Sequence, residues 1–265
     1  FLVLVIKNLF WRGLMTNSIK ILFVSLFALV FSASAYTDDT TPAFIPLEGY
    51  ACNFSKGKDM DDLYKVVDKW NDFIDEGGTQ YNSWVFTPFY YSEEEAADIY
   101  WIGISPTWEE MLKTDEHMAK PEGQKLQAEF NKVSPCYDHT NWGYENVRSG
   151  SDSGDDGVVT LMWCDLTEGT TRDQVLAADK KYNAYMESTD SSGGAGRWWP
   201  GSGIPTRFTA DFLWGTSSDS LADWGRSADM AVNGGGNQAM QSIYGDLMTC
   251  SNRAVYTVRA ARTSN

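Results

Sequence analysis

Two short stretches carry the residues most able to do chemistry. "ADIYWIG" spans Ala97–Gly103, and "ADFLWG" spans Ala210–Gly215, with 113 positions between their first residues. Each offers a carboxylate, two bulky apolar residues, a Trp and a Gly. In an extended strand Asp98, Tyr100 and Ile102 share one face, and Ile99, Trp101 and Gly103 share the other. Likewise Asp211 and Leu213 oppose Phe212 and Trp214. Were the two stretches to face each other, Asp98 and Asp211 would form a carboxylate pair able to share a proton or hold a cation. Against that, each Asp at a strand entrance reads more simply as a solvated residue. Trp101 and Trp214, with Trp84, Tyr100 and Trp199, are the aromatic positions that would line a pocket for a small apolar or carbohydrate ligand.

Other chemistries find little support. The chain has two histidines, His117 and His139, both in its first half. His117 lies in the polar run "KTDEHMAKPEG" and reads as an exposed helical residue. His139 follows Cys136 by three residues, where Arg253 follows Cys250, so a cation pairing with local acids accounts for both. No H-x-x-H or H-E-x-x-H occurs, and no metal site is expected. No G-x-S-x-G elbow or P-loop is present either.

The elements that would position these residues repeat. Trp70-Asn71 answers to Tyr182-Asn183, Phe73 to Tyr185, Pro88 to Pro200, and "YENVR" at 144–148 to "YTVR" at 256–259. Cysteines fall at 52, 136, 164 and 250, giving two nearly equal intervals at the same offset. The chain reads as a duplication, with repeats over 45–148 and 157–262 joined by an acidic, Gly- and Ser-rich linker at 149–156. Each repeat begins with a short strand, followed by a helix whose apolar residues recur at 3.6-residue spacing. In the first, Leu63, Val66, Val67, Trp70, Phe73 and Ile74 form that face, and Gly77-Gly78 stops the helix. Two aromatic-rich strands, a helical region broken at Pro121, and a last strand complete it. The order β-α-β-β-α-β is ferredoxin-like. That topology lays the fourth strand beside the first, which favours Cys52–Cys136 and Cys164–Cys250 among the three pairings four cysteines allow.

Residues 1–14 are expected to be upstream translated sequence. A signal peptide is expected over 15–35: a polar start with Lys20, an apolar core from Ile21 to Phe31, and Ala33-Ser34-Ala35 before the cleavage point. Export to the periplasm or beyond follows, with no membrane segment after cleavage. Losing Lys7, Arg12 and Lys20 takes the net charge from −15 to −18, three basic residues fewer, which disfavours nucleic acid as a partner. Ten of the eleven Trp lie beyond position 35.

Two such repeats in one chain resemble the dimeric α+β barrel superfamily, which includes cofactor-independent monooxygenases, stress-responsive barrel proteins and the haem-binding chlorite dismutase group. "IPLEGYACNF", "KGKDMDDL" and "DIYWIG" are also similar to a group of secreted proteins of marine bacteria. The resemblance implies an α+β fold packed as a pseudo-twofold barrel. The resemblance implies, for the cofactor-independent monooxygenases, an electron-rich substrate held in a pocket of Trp, Tyr and Asn, residues abundant here as Asn82, Trp84, Tyr100, Trp101, Trp199 and Trp214. Haem would need an axial ligand, for which only two histidines are available, so no cofactor is expected. With an intact repeat and no catalytic constellation, the sequence reads as a non-catalytic small-molecule-binding module. A cofactor-independent monooxygenase-like enzyme, acting in the barrel or sheet–helix cleft, is the alternative, and a surface-assembly protein a third reading.

Overall fold

The structure, a computed structural model, describes residues 44–92, 97–150, 156–189 and 191–263. The expected signal peptide and the middle of the linker lie outside the described residues. The order is β1 (Ile45–Cys52), α1 (Met60–Gly77), β2 (Asn82–Tyr90), β3 (Ile99–Ile104), α2 (Trp108–Met118), α3 (Pro121–Val133) and β4 (Cys136–Arg148). It continues with β5 (Asp156–Leu166), α4 (Arg172–Ser188), β6 (Ala195–Pro200), β7 (Phe212–Ser218), α5 (Leu221–Asn233), α6 (Gly236–Tyr244) and β8 (Met248–Arg262).

Local chemistry sets the helix limits. The Asp59 side chain accepts the Asp62 N–H at 3.1 Å and caps α1, and Gly78 ends it in the left-handed region at φ 63°. Leu63, Val66, Val67, Trp70 and Ile74 form its buried stripe. Pro121 begins α3, where its missing N–H has no helical partner to lose. At the start of α4, Thr171 and Gln174 form a reciprocal capping box.

Eight antiparallel strands close into a barrel in the order β1-β3-β2-β8-β5-β7-β6-β4, with β4 returning to β1. The first half contributes β4-β1-β3-β2 and the second β8-β5-β7-β6, each in the ferredoxin-like order. The two sheets join edge to edge at β2–β8 and β4–β6, so neither half is left with an open sheet edge. Cys52 stands opposite Cys136, and Cys164 opposite Cys250, and both pairs are disulfides, as the topology requires.

Strand alternation separates two environments. Leu47, Phe86, Ile102, Trp142, Trp198 and Tyr256 fill the lumen. On the outer face of the first half, Cys52, Val85 and Ile99 pack under α1 and α3. In the second half, Cys164, Phe212 and Trp214 pack under α4 and α6. An eight-stranded barrel is just wide enough for side chains to fill it or to leave room for one small molecule.

Candidate functional site

The outer face of the first half holds a carboxylate where a sheet–helix cleft would ordinarily be apolar. On β1, Leu47 points to the lumen, so Glu48 and Tyr50 point out toward the helices. Glu48 is 4% exposed. Its Oε1 accepts the Tyr81 hydroxyl at 2.6 Å, and its Oε2 accepts the Tyr50 hydroxyl at 3.1 Å. The Nε2–H of His139 on β4 donates to the same Oε2 at 2.9 Å. Behind them, the Trp101 Nε1–H donates to the Tyr81 oxygen at 3.2 Å. The His139 ring stacks on Tyr50 with centroids 4.0 Å apart. A continuous chain of hydrogen bonds thus runs from Trp101 to a histidine at the surface.

Gly103 makes this arrangement possible. A Cβ there would lie 1.8 Å from the Tyr81 hydroxyl oxygen, so only a bare backbone lets Tyr81 cross β3 to reach Glu48. The glycine of "ADFLWG" is not its counterpart. Gly103 follows Trp101 by two residues and shares its outer face, whereas Gly215 follows Trp214 directly and faces the lumen toward Leu161.

Beside Glu48 the cleft keeps a cavity of about 140 Å³, walled by Trp70, Trp101, Met118 and Phe130, with Gln127 and Asp115 also lining it. The charges are mutually dependent. The hydrogen bond to Glu48 holds the His139 imidazole above its ordinary pKa, favouring the imidazolium. Burial, then the Glu48 charge, pushes the Tyr81 hydroxyl well above the usual range and keeps it a neutral donor. Asp115 is shifted upward by desolvation and then by Glu48. The arrangement is a floor carboxylate with a proton path to solvent, next to an apolar space.

The second half uses the same space differently. Arg197, which stands opposite Trp214 as Val85 stands opposite Trp101, is 1% exposed. It donates to Glu145 at 3.0 Å and pairs with Asp179, which also accepts the Tyr244 hydroxyl at 2.7 Å. Trp199 Nε1 donates to Glu145 at 3.0 Å, and Arg172 pairs with its other oxygen at 2.8 Å. Two cations and two carboxylates fill this cleft with a closed network. The first-half cleft keeps a cavity beside its network.

No protein-family model and no curated protein sequence matches the chain. Among solved structures, a putative monooxygenase from Lactobacillus acidophilus NCFM superposes with a TM-score of 0.51 at 10% identity, covering 83% of this chain and 95% of that one. A dye-decolorizing peroxidase from Bacteroides thetaiotaomicron VPI-5482 gives 0.50 at 8% identity, over 82% and 93%. The chain has the dimeric α+β barrel fold. The non-catalytic binding module expected from sequence is not supported: solved structures of similar fold include a putative monooxygenase and a dye-decolorizing peroxidase. The fold here puts a buried carboxylate, bonded to a half-exposed histidine, beside an open cavity.

Haem does not fit these residues. His117, expected at the surface, is instead 8% exposed because α2 packs on α1. Its Nε2–H donates to the Phe73 carbonyl at 2.8 Å, Lys120 donates to its Nδ1 at 2.9 Å, and its ring stacks on Phe73. The Nε2 of His139 is taken by Glu48. Neither histidine turns a free Nε2 lone pair into a cleft, and the cavity is smaller than a porphyrin. Among the described residues no cluster of three or more His, Cys, Asp or Glu side chains could hold a metal ion.

The residues singled out in the sequence are dispersed. Trp101 lies in the first-half cleft and Trp214 under α4 and α6 in the second, so they occupy equivalent places without meeting. Trp70 meets Trp101 edge-on at 5.2 Å, and Tyr182 meets Trp214 edge-on at 5.6 Å. Asp98 accepts the Phe54 N–H, and Asp211 accepts the Leu166 N–H, both at 2.8 Å. Both carboxylates are exposed, and each ties its strand entrance to the end of the neighbouring strand in its own half. Trp84 and Tyr100 pack in the lumen, and Trp199 sits on Phe212 in the second half. Glu48, Tyr50 and Tyr81 were not singled out by sequence. An acid alternating with Tyr50 and Cys52 inside "IPLEGYAC", in a strand otherwise fit for burial, was the available signal.

Proposed function

We propose that the chain is an exported, small-molecule oxidative enzyme of the cofactor-independent monooxygenase type, acting in the first-half cleft. The observation that carries this is the Glu48 carboxylate, buried at the floor of an open cavity and joined at 2.9 Å to a surface histidine. Glu48 serves as the base that takes a proton from an electron-rich substrate and returns it to the departing oxygen, while the His139 Nε2–H holds the carboxylate in place. Tyr81 and Tyr50 hold the carboxylate in place, and Trp101 and Phe130 pack the substrate ring. Once deprotonated, such a substrate reduces dioxygen itself: an activated CH2 becomes C=O, one oxygen atom enters the product and the other leaves as water. All four electrons come from the substrate. The putative monooxygenase of similar fold supports the reading.

Two further elements belong to the same proposal. The barrel derives from a duplicated ferredoxin-like unit, supported by the paired Trp70–Trp101 and Tyr182–Trp214 contacts. The protein works in the periplasm or outside the cell, supported by its two disulfides. The test is oxygen uptake with a panel of cyclic ketones bearing an activated CH2. Turnover is expected to fall at least about a hundredfold in Glu48→Gln, as for loss of a general base. Uptake retained in that variant would overturn the assignment of the site.

A further inference from the structure

The lumen lies on the opposite face of the strands from the cleft, and it holds a second cavity of about 130 Å³. Its walls are unusually rich in rings, including Phe86, Tyr100, Trp142, Trp163 and Trp198. The connection between β6 and β7 closes one end. It is fastened to β4 by backbone bonds from Gly201 N to Asn141 O at 2.9 Å and from Asn141 N to Ser202 O at 2.8 Å. Gly203, at φ 74°, keeps the chain tight, since a Cβ there would lie 2.3 Å from the His139 carbonyl oxygen. From this fastened base the connection sets Phe208 against both Trp142 and Trp163, at centroid distances of 5.3 and 5.0 Å.

The mouth is polar and asymmetric. Arg207, from the same connection, lies 3.7 Å from Asp138. Across from them, Asn252 adopts φ 46° where the β5–β8 register shifts between Leu161 and Trp163. That bulge turns the Asn side chain to the cavity's edge, a conformation Asn tolerates better than most residues. Inside, Thr140 has both its hydroxyl roles filled, donating to Gly49 O and accepting from Trp142 Nε1. The charged and amide side chains that line the cavity, Asp138, Arg207 and Asn252, are at the mouth, and the depth is mostly aromatic.

We propose that the lumen is a binding site for a single-ring hydroxyarene. The free space is close to that of an apolar cavity known to take benzene, about 150 Å³. Edge and face contacts with the surrounding rings favour a planar aromatic over a saturated ring of equal size. The hydroxyl would lie at the mouth, where Asp138 accepts and Asn252 or Arg207 donates. Phe208 forms the outermost aromatic wall.

The probe is 4-fluorophenol, followed by fluorine NMR on the full chain. A saturable shift is expected, with cyclohexanol competing at least about tenfold less well. Ala254→Met, which fills the cavity with a flexible side chain, should abolish the binding. Phe208→Ala, on an exposed connection, should weaken it about tenfold and keeps the test decisive if the core variant does not fold. Glu48→Gln alters only the cleft and should leave it unchanged. A shift that never saturates, equal competition by cyclohexanol, or binding lost in Glu48→Gln but intact in Ala254→Met would overturn the proposal. Oxygen uptake is read separately, so failure of the cleft assignment leaves this result standing.

Discussion

The Nε2 of His139 and the Oε2 of Glu48 are 2.9 Å apart, joining a half-exposed imidazole to a carboxylate that is 4% exposed. Because Glu48 holds the imidazolium, His139 titrates above its ordinary value of 6.5. The stabilisation this pair gives is complete below the unfolded value near 6.5 and is lost as pH rises through the higher folded value. NMR titration of the His139 ring should show that elevated midpoint, and Glu48→Gln should lower it toward 6.5. An unchanged midpoint in the variant would mean that Glu48 does not set the charge of His139.

Gly103 and Gly215 end the two copies of the motif but meet different neighbours. A methyl group at Gly103 would collide with the Tyr81 hydroxyl, whereas one at Gly215 would find Leu161 Cδ2 at 3.2 Å, an end that can swing aside. Gly103→Ala is expected to destabilise the protein by about 1–3 kcal/mol through overpacking, and Gly215→Ala by distinctly less. Urea unfolding of the two variants checks this, and equal losses would mean that the Tyr81 crossing does not constrain β3.

Element order and disulfide partners were legible because each depends on local pattern. The helical stripe of α1, its Gly78 stop and the break at Pro121 follow from spacing and backbone chemistry, and the cysteine pairing follows from strand order. The cleft was not legible. Its carboxylate, two phenols and imidazole come from β1, the residue before β2, and β4, and only Glu48 and Tyr50 share a strand spacing. Repetition drew attention to Asp98 and Asp211, yet they repeat because both halves need the same tie at a strand entrance. The proposed site lies where the halves differ. Val85 opposite Trp101 on one side and Arg197 opposite Trp214 on the other set the two clefts apart.

Each disulfide joins the end of a first strand to the start of a last one, at sequence separations of 84 and 86. Loops of that length place the chain-entropy contribution at about 4–5 kcal/mol each, with measured values commonly nearer 2–4. Replacing either pair by Ser should therefore lower stability by about 2–4 kcal/mol, read from urea unfolding with and without reductant. A loss confined to one pair would mark the other half as held by packing alone.

Arg197 supplies the sharpest contrast between the two clefts. Its guanidinium lies between the carboxylates of Glu145 and Asp179 and over the Trp214 ring at 5.3 Å. Arg197→Met keeps much of the apolar bulk but leaves two buried carboxylates with only Arg172 nearby, whose side chain is 49% exposed. Breaking a buried pair from one side costs about 3–5 kcal/mol, because the remaining charge is stranded. The same loss should shrink when Asp179→Asn accompanies the change, since one stranded charge is then removed. A double variant as unstable as the single one would show that the guanidinium's packing on Trp214, rather than its charge, holds the second half together.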